Sequence, residues 1–226
     1  MPLIVAAFVA VVIAIAILGH LQVQKRKKDL AAWASARGLS FYAAKDRGMD
    51  DRYPPFDCLR KGSSRYAFNI MEGTCGGRQV CAFDYHYETR SATSKGGSRT
   101  THHRFSAVVV ETNLPLKPLS IRTESLFDRL GGFLGFGDID FELEEFNREF
   151  YVKAADRRWA FDVLQQATME FLLDSPRFNL EFEGTQVIAY RDSTFSPAEF
   201  GAALSVLGGV LDGLPGYLLR DMKGVD

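Results

Sequence analysis

Four residues whose side chains could do chemistry lie in two short segments of the chain: Asp84, His86, His102 and His103. The flanking segments RQVCAFDYHYE and FSAVVVET are rich in β-branched and aromatic residues, and the stretch between them is rich in Gly, Ser and Thr. This pattern predicts a long β-hairpin with a polar tip. If the strands close symmetrically about Ser94 and Lys95, His86 opposes His103 on one face, and Asp84 lies two residues along. Two imidazoles and a carboxylate could hold Zn²⁺ and leave a fourth position for the water that hydrolysis needs.

The alternative for these histidines is that they are solvated or paired with a nearby carboxylate, because their spacing matches no known metal signature. The sequence also contains no GxSxG and no Ser-His-Asp pattern. The glycines between 131 and 137 lack the Lys-Ser/Thr pair of a phosphate-binding loop, which excludes a nucleotide site. We therefore predict no cofactor, and a metal-dependent hydrolase using His86, His103 and Asp84 is the second hypothesis for function.

The N-terminal segment 2–23 predicts a transmembrane helix. Leu3 to Leu18 is an unbroken apolar run, and the strongly polar side chains up to Val23 are His20 and Gln22. At 1.5 Å per residue, about 20 residues cross a hydrocarbon core of about 30 Å. A cleaved secretory signal is the alternative, but such signals carry positive charge before the apolar run and end in a small-x-small site.

A basic cluster follows the apolar run directly: Lys25, Arg26, Lys27 and Lys28. Positive flanks stay on the cytoplasmic side, so we predict the N-terminus outside and the rest of the chain in the cytoplasm, at the inner (plasma) membrane. The cluster is expected to lie against anionic head groups, each charge adding about 1 kcal/mol of attraction. The three cysteines (Cys58, Cys75 and Cys81) are too few for a disulfide framework and fit a reducing compartment.

After the membrane helix we predict a juxtamembrane segment over 24–38 and a cytoplasmic domain over 39–226, with a sub-boundary near 131–137. Asp29 to Arg37 is expected to form a short helix that ends at Gly38 and places Leu30, Trp33 and Ala34 on one face. It either continues the membrane helix or turns off it at the surface. Trp33 is expected either at the head-group level or packed on the domain.

The domain itself is predicted to be α+β: an antiparallel β-rich fold with two helices in its C-terminal third. Beyond the long hairpin, the predicted strands are 39–43, 66–72, 119–122, 138–143 and 149–154, with a second hairpin over 178–191 and a proline-punctuated connection over 113–118. One helix is capped by Asp156 and runs to Asp174. The other begins with the capping box Ser196-Pro197-Ala198-Glu199 and runs to Leu214.

The net charge of −1 is a cancellation between two halves of opposite sign. Residues 1–113 hold 16 basic and 9 acidic side chains, whereas residues 114–226 hold 11 basic and 19 acidic ones. The near-neutral total excludes a uniformly basic nucleic-acid binder. The acidic residues of the second half include Asp138, Asp140, Glu142, Glu144 and Glu145, which either bind a basic partner or form a solvated face.

Three parts of the chain together resemble a group of uncharacterised bacterial single-pass membrane proteins. They are LAAWASARGLSF, then AFDYHYETRS followed by HHRFSAVVVE, then DIDFELEEFNREFYVKAADRRWAFDVL. The resemblance implies one N-terminal membrane helix and a cytoplasmic α+β domain. No activity is established for that group, so the resemblance assigns no functional residue.

The first hypothesis for function is therefore a membrane-anchored cytoplasmic binding or scaffold module without enzymatic activity. Its predicted partners are the lipid bilayer, anionic head groups at the basic cluster, and a partner protein. The contact surfaces expected for such a partner are the hairpin tip at 93–100 and the acidic segment at 138–145. The sequence leaves the partner's identity and the oligomeric state open.

Overall fold

The long hairpin lies at the centre of an antiparallel sheet. In this computed structural model the described residues are 2–92, 96–123 and 139–223. Within them, six strands form one sheet in which β1 to β5 are neighbours in sequence order, and β6 pairs with β4. The strands are β1 (Ser40–Tyr42), β2 (Ser63–Cys75), β3 (Arg78–Ala92), β4 (Ser98–Thr123), β5 (Phe150–Ala154) and β6 (Asn179–Arg191). The predicted α+β class with an antiparallel sheet is confirmed.

Helices precede the sheet, separate its strands and follow it. Those within the described residues are α1 (Pro2–Ser35), α2 (Met49–Arg52), α3 (Asp57–Arg60), α4 (Glu144–Glu149), α5 (Arg157–Val163), α6 (Gln166–Asp174), α7 (Pro197–Asp212) and α8 (Gly216–Lys223). The apolar N-terminal segment and the predicted short helix are one continuous helix, α1, with Gly38 in the left-handed region just beyond its end. The capping box that opens α7 is confirmed, with the Ser196 hydroxyl and the Glu199 carboxylate each bonded to the other's backbone N–H.

The sheet carries a separate apolar core on each face, because side chains alternate along its strands. On β3, Val80 and Ala82 face the core formed with α1, α5, α6 and α7. Cys81, Phe83 and Tyr85 face the other core, which is covered by the short α2–α3 segment. Asp84 therefore lies on the helix side of the sheet. Every second residue of β3 after Asp84, towards the hairpin tip, lies on the same side.

Two regions predicted as breaks are continuous strands. The proline-punctuated connection at 113–118 lies inside β4, which pairs with β6 on both sides of it and shifts register between Glu111 and Leu119. A proline lacks the N–H of a ladder bond, and this irregular stretch accommodates Pro115 and Pro118. The predicted hairpin at 178–191 is also wrong, since β6 runs through Gly184, which has a φ of +60°. Tertiary pairing with the long β4 overrides both local turn signals.

Two further predictions need correction. Residues 139–143 are not a strand, although Ile139 and Phe141 are buried as the alternation indicated. Their backbone bonds instead to Val152 of β5 and to the side chain of Asn147, and α4 begins immediately afterwards. The helix predicted from Asp156 to Asp174 is divided into α5 and α6 at Gln165, with the Asp156 cap confirmed.

The predicted sub-boundary at 131–137 lies outside the described residues, and strands on both sides of it belong to the same sheet. In α1, side chains are described at Ile13 and from Ile15 onward. Within the described part of the chain, no single helix is long and apolar enough to cross a membrane, and the pair α7 and α8, bent by 84°, meets the criteria of length and composition. Residues of α7 such as Phe200 and Leu207 are fully buried in the core.

Candidate functional site

Three side chains that can ligate a metal come together on the helix-side face of the hairpin. They are His86 and Glu88 of β3 and His102 of β4. The Nε2 atom of His86 lies 3.2 Å from Nδ1 of His102, and that Nδ1 lies 3.4 Å from Oε1 of Glu88. One ligand atom from each residue lies within 4.8 Å of the others. We call these three residues the hairpin triad.

The register of the hairpin decides which histidine joins this group. His86 pairs with Arg104, and Tyr87 pairs with His103. The register therefore differs by one residue from the predicted one, in which His86 is opposite His103. A slip of one residue turns every side chain to the opposite face. The prediction that His86 and His103 share a face is therefore wrong. His102 lies beside His86, whereas the His103 ring stacks on Tyr87 with centroids 4.6 Å apart.

The His86 imidazole is fixed by contacts from β2. Its Nδ1 lies 3.3 Å from the carbonyl oxygen of Ser64, and its ring stacks on Tyr66 with centroids 4.5 Å apart. Burial lowers the pKa of His86, because a charged imidazole loses its hydration there, and the bond to the Ser64 carbonyl opposes that effect in part. In the neutral tautomer whose Nδ1–H donates to Ser64, the Nε2 lone pair is directed at Nδ1 of His102.

An irregular stretch of β2 brings the Ser64 carbonyl into place. The pairing of β2 with β3 shifts register between Ser63 and Tyr66, and Ser64 has a φ of 52° in the left-handed region. A Cβ on Gly62 would lie 2.2 Å from the carbonyl oxygen of Glu88. Glycine is therefore required for β2 to approach β3 this closely beside the triad.

Asp84, the third residue of the predicted metal site, is fully buried one pleat further into the sheet and has other partners. Arg26 of α1 donates to it from Nη2 at 2.8 Å and 2.9 Å and from Nε at 3.3 Å. The Nδ2 group of Asn69 donates at 2.8 Å, and the Ser106 hydroxyl also donates. Because these donors occupy both of its oxygens, the carboxylate serves as the anchor of a hydrogen-bond network rather than as a free ligand.

The Asp84 network joins α1, the three strands β2, β3 and β4, and the segment before α7. Asn69 has a φ of 51° and lies where the pairing of β2 and β3 shifts register again. The Ser106 oxygen accepts the backbone N–H of Phe195 at 2.8 Å. No local pattern indicates the Arg26–Asp84 pair, which spans 58 residues, and the sequence predicted Arg26 at the membrane surface with its neighbours.

The other residues singled out in the sequence lie apart from both groups. Lys25 and Lys28 are exposed, and Lys27 is half-buried. The cysteines are free. Cys75 pairs with Arg78 and Cys81 with Glu72, so the two thiols do not meet across the turn. Burial raises the pKa of Cys81 to about 11. In the acidic segment Asp140, Glu142, Glu144 and Glu145 are exposed, and Asp138 lies outside the described residues.

Comparison with known proteins shows a likeness of fold. No protein-family model matches the chain, and no curated protein matches its sequence. Among solved structures, the chain is similar to the crystal structure of the mycobacterial trehalose monomycolate transport factor A, TtfA. The TM-score is 0.57 at 11% sequence identity, and the match covers 84% of this chain and 96% of that one. At this identity the fold is what the two proteins share.

Proposed function

We propose that the chain is a single-pass membrane protein whose cytoplasmic domain acts as a binding or scaffold module held rigidly at the membrane surface. The observation that carries the proposal is the division of α1 into two parts. One end of this single helix is locked into the core of the domain. The other end exposes its large apolar side chains without a protein partner among the described residues.

The exposed end of α1 has the properties of a membrane-inserted segment. The side chains concerned are each more than half exposed: Ile13, Ile15, Ile17, Leu18, Leu21 and Val23. A contiguous apolar surface of this kind is unfavourable in water and favourable in a bilayer. The length of the anchor comes from the sequence: as a helix the predicted segment 3–23 would extend for about 31 Å, against a hydrocarbon core of about 30 Å.

The docked end of α1 is part of the fold. Leu30 and Ala34 are fully buried. The Trp33 ring packs on Phe200 with centroids 5.8 Å apart, and the Arg37 guanidinium lies 4.4 Å from the Trp33 ring centroid. Together with the Arg26–Asp84 pair, these contacts make the domain continuous with the anchor rather than tethered through a linker.

The distal arms of the hairpin extend towards the apolar end of α1. Beside β2, Leu39 lies against Gly73, and Arg26 reaches the level of Asn69 through Asp84. The stretch of β2 from Gly73 back to Asn69 therefore runs alongside α1 from its C-terminal end towards its N-terminus. Ser64 and His86 lie further in that same direction. The arms near and beyond this level are described over 89–92 and 96–104, where they carry Arg90, Arg99 and Arg104 and no acidic residue. We infer that these two stretches and the basic cluster face the anionic head groups together.

The protein of similar fold is described as a transport factor, and we propose an accessory role of that general kind for this chain as well. A hydrolase based on His86, His103 and Asp84 has no such support, because His103 lies on the opposite face and Asp84 is bonded to Arg26.

Fractionation and protease accessibility in expressing cells test the proposal. The full chain should stay with membranes after an alkaline wash, and its domain should be digested only when the cytoplasmic side is opened. The variant Ile15→Lys/Ile17→Lys should leave the membrane while keeping its fold, since neither side chain packs on the domain. The matched variant Lys61→Gln/Lys153→Gln should behave as the wild type. A wild-type chain that washes off, or a domain digested in intact cells, would contradict the proposal.

A further inference from the structure

Two separations within the hairpin triad match those between ligands of a tetrahedral metal ion, and the third pair of ligand atoms lies within 4.8 Å. Zn²⁺ binds His nitrogen and carboxylate oxygen at about 2.0–2.2 Å, so neighbouring ligand atoms of a tetrahedral site are about 3.3 Å apart. The separations here are 3.2 Å from His86 Nε2 to His102 Nδ1 and 3.4 Å from that Nδ1 to Glu88 Oε1. We propose that His86, Glu88 and His102 bind one divalent transition-metal ion, with Zn²⁺ the best fit, and that the ion joins β3 to β4.

The surroundings of His86 are those of a metal ligand. Metal-ligating histidines commonly donate their second ring N–H to a carbonyl or carboxylate, which fixes the tautomer and the ring orientation. The Ser64 carbonyl, 3.3 Å from Nδ1, provides that acceptor. Stacking on Tyr66 restricts the ring further. His86 is thus held in place before a metal arrives, with Nε2 directed at His102 and within 4.8 Å of a Glu88 oxygen.

The triad is accessible from solvent on one side. The His102 side chain is 63% exposed, whereas that of Glu88 is 19% exposed and His86 is buried. An ion can therefore enter at His102 and reach the buried imidazole. Three protein ligands leave a fourth position for water or for a group from a binding partner.

Charge near the triad sets the role of Glu88. Arg104 is the register partner of His86, and the Lys45 ammonium lies 4.1 Å from the centroid of the Tyr66 ring that stacks on His86. Both cations oppose the binding of a further positive charge. The Glu88 carboxylate is the anionic ligand that offsets them, so its charge is essential to the site.

Binding of Zn²⁺ alone to the untagged full chain in detergent micelles tests the proposal. After removal of metal with a chelator, calorimetric titration should show one ion per chain, and Co²⁺ should give the visible absorption bands of tetrahedral coordination. Loss of a ligand should weaken binding at least tenfold, by comparison with the 10- to 100-fold cost of losing a supporting group. We expect this loss for His102→Ala and for Glu88→Gln.

His103→Ala is the matched control, since it removes the adjacent histidine from the opposite face of the same strand. It should bind Zn²⁺ as the wild type does. Replacing the buried His86 would also remove core packing, so the exposed His102 carries the test, with thermal unfolding as a second measurement. Zn²⁺ should raise the Tm of the wild type and of His103→Ala but not of His102→Ala. Absence of binding at micromolar Zn²⁺, equal loss in His103→Ala, or full affinity in Glu88→Gln would overturn the proposal.

Discussion

The two ends of α1 have similar helical geometry and opposite environments. Between Ile15 and Val23 the large apolar side chains are more than half exposed, whereas Leu30 and Ala34, less than two turns beyond the basic cluster, are fully buried. The basic cluster marks the change. Within it, Lys25 and Lys28 are exposed and Arg26 is bonded to a buried carboxylate. The cations of the basic cluster therefore have different roles although they are neighbours in sequence. Arg26 differs from the others because it contacts a carboxylate of the sheet, Asp84.

Of the substitutions that test this comparison, removal of Arg26 should change the unfolding free energy most. Arg26→Ala would leave the Asp84 carboxylate buried without its counter-charge, which costs about 4 kcal/mol of unfolding free energy. Urea unfolding of the full chain in detergent, followed by the fluorescence of the buried Trp33 and Trp159, measures the change. Lys25→Ala is the matched control and should change the free energy by less than about 0.5 kcal/mol.

The double variant Arg26→Met/Asp84→Asn distinguishes loss of the charge pair from loss of helix packing. It removes both charges, and the amide oxygen at 84 still accepts from Ser106 while its NH2 can donate to the otherwise unbonded Oδ1 of Asn69. The double variant should therefore recover most of the stability lost in Arg26→Ala. Equal losses in Arg26→Ala and Lys25→Ala would show that the helix is not locked by this pair.

Truncating leucines at the two ends of α1 tests the apolar side of the same comparison. Leu30→Ala should lower the unfolding free energy by about 3 kcal/mol, because it opens a cavity in the core. Leu21→Ala should leave it unchanged within about 0.5 kcal/mol, since that side chain is 56% exposed and does not pack on the domain. The same urea titration measures both. A comparable cost for Leu21→Ala would mean that the apolar end also packs on protein.

Features encoded by near neighbours were predictable from the sequence. The Asp156 cap, the capping box at Ser196 and the common helix face of Leu30, Trp33 and Ala34 each depend on residues within one or two helical turns. The two arms of the long hairpin were also predictable, because each has its own β-branched and aromatic composition. These predictions describe elements rather than their arrangement.

Features determined by pairing were not predictable. The polar tip of the hairpin permits either of two registers that differ by one residue, and this difference exchanges His103 for His102 in the triad. The His-Tyr-Glu alternation at 86–88 was the available signal for Glu88, because alternate residues share a face. Pairing with β6 keeps β4 continuous through Pro115 and Pro118. The Arg26–Asp84 contact joins residues 58 apart in the chain, and no local pattern indicates it.

Replacing the exposed cations of the basic cluster should have the smallest effect on stability. The same replacement should have the greatest effect on the orientation of the chain in the membrane. Lys25→Gln/Lys28→Gln should leave the unfolding free energy unchanged within about 0.5 kcal/mol, since both side chains are exposed. Under the proposed membrane anchoring, it should nevertheless increase the fraction of chains with the domain on the outer side, because positive flanks set membrane orientation. Protease accessibility of the domain in intact cells measures that fraction, and Lys61→Gln/Lys153→Gln removes the same charge elsewhere. If both double variants kept the wild-type orientation, Arg26 and Lys27 would suffice for topology, and the division of roles within the cluster would be wrong.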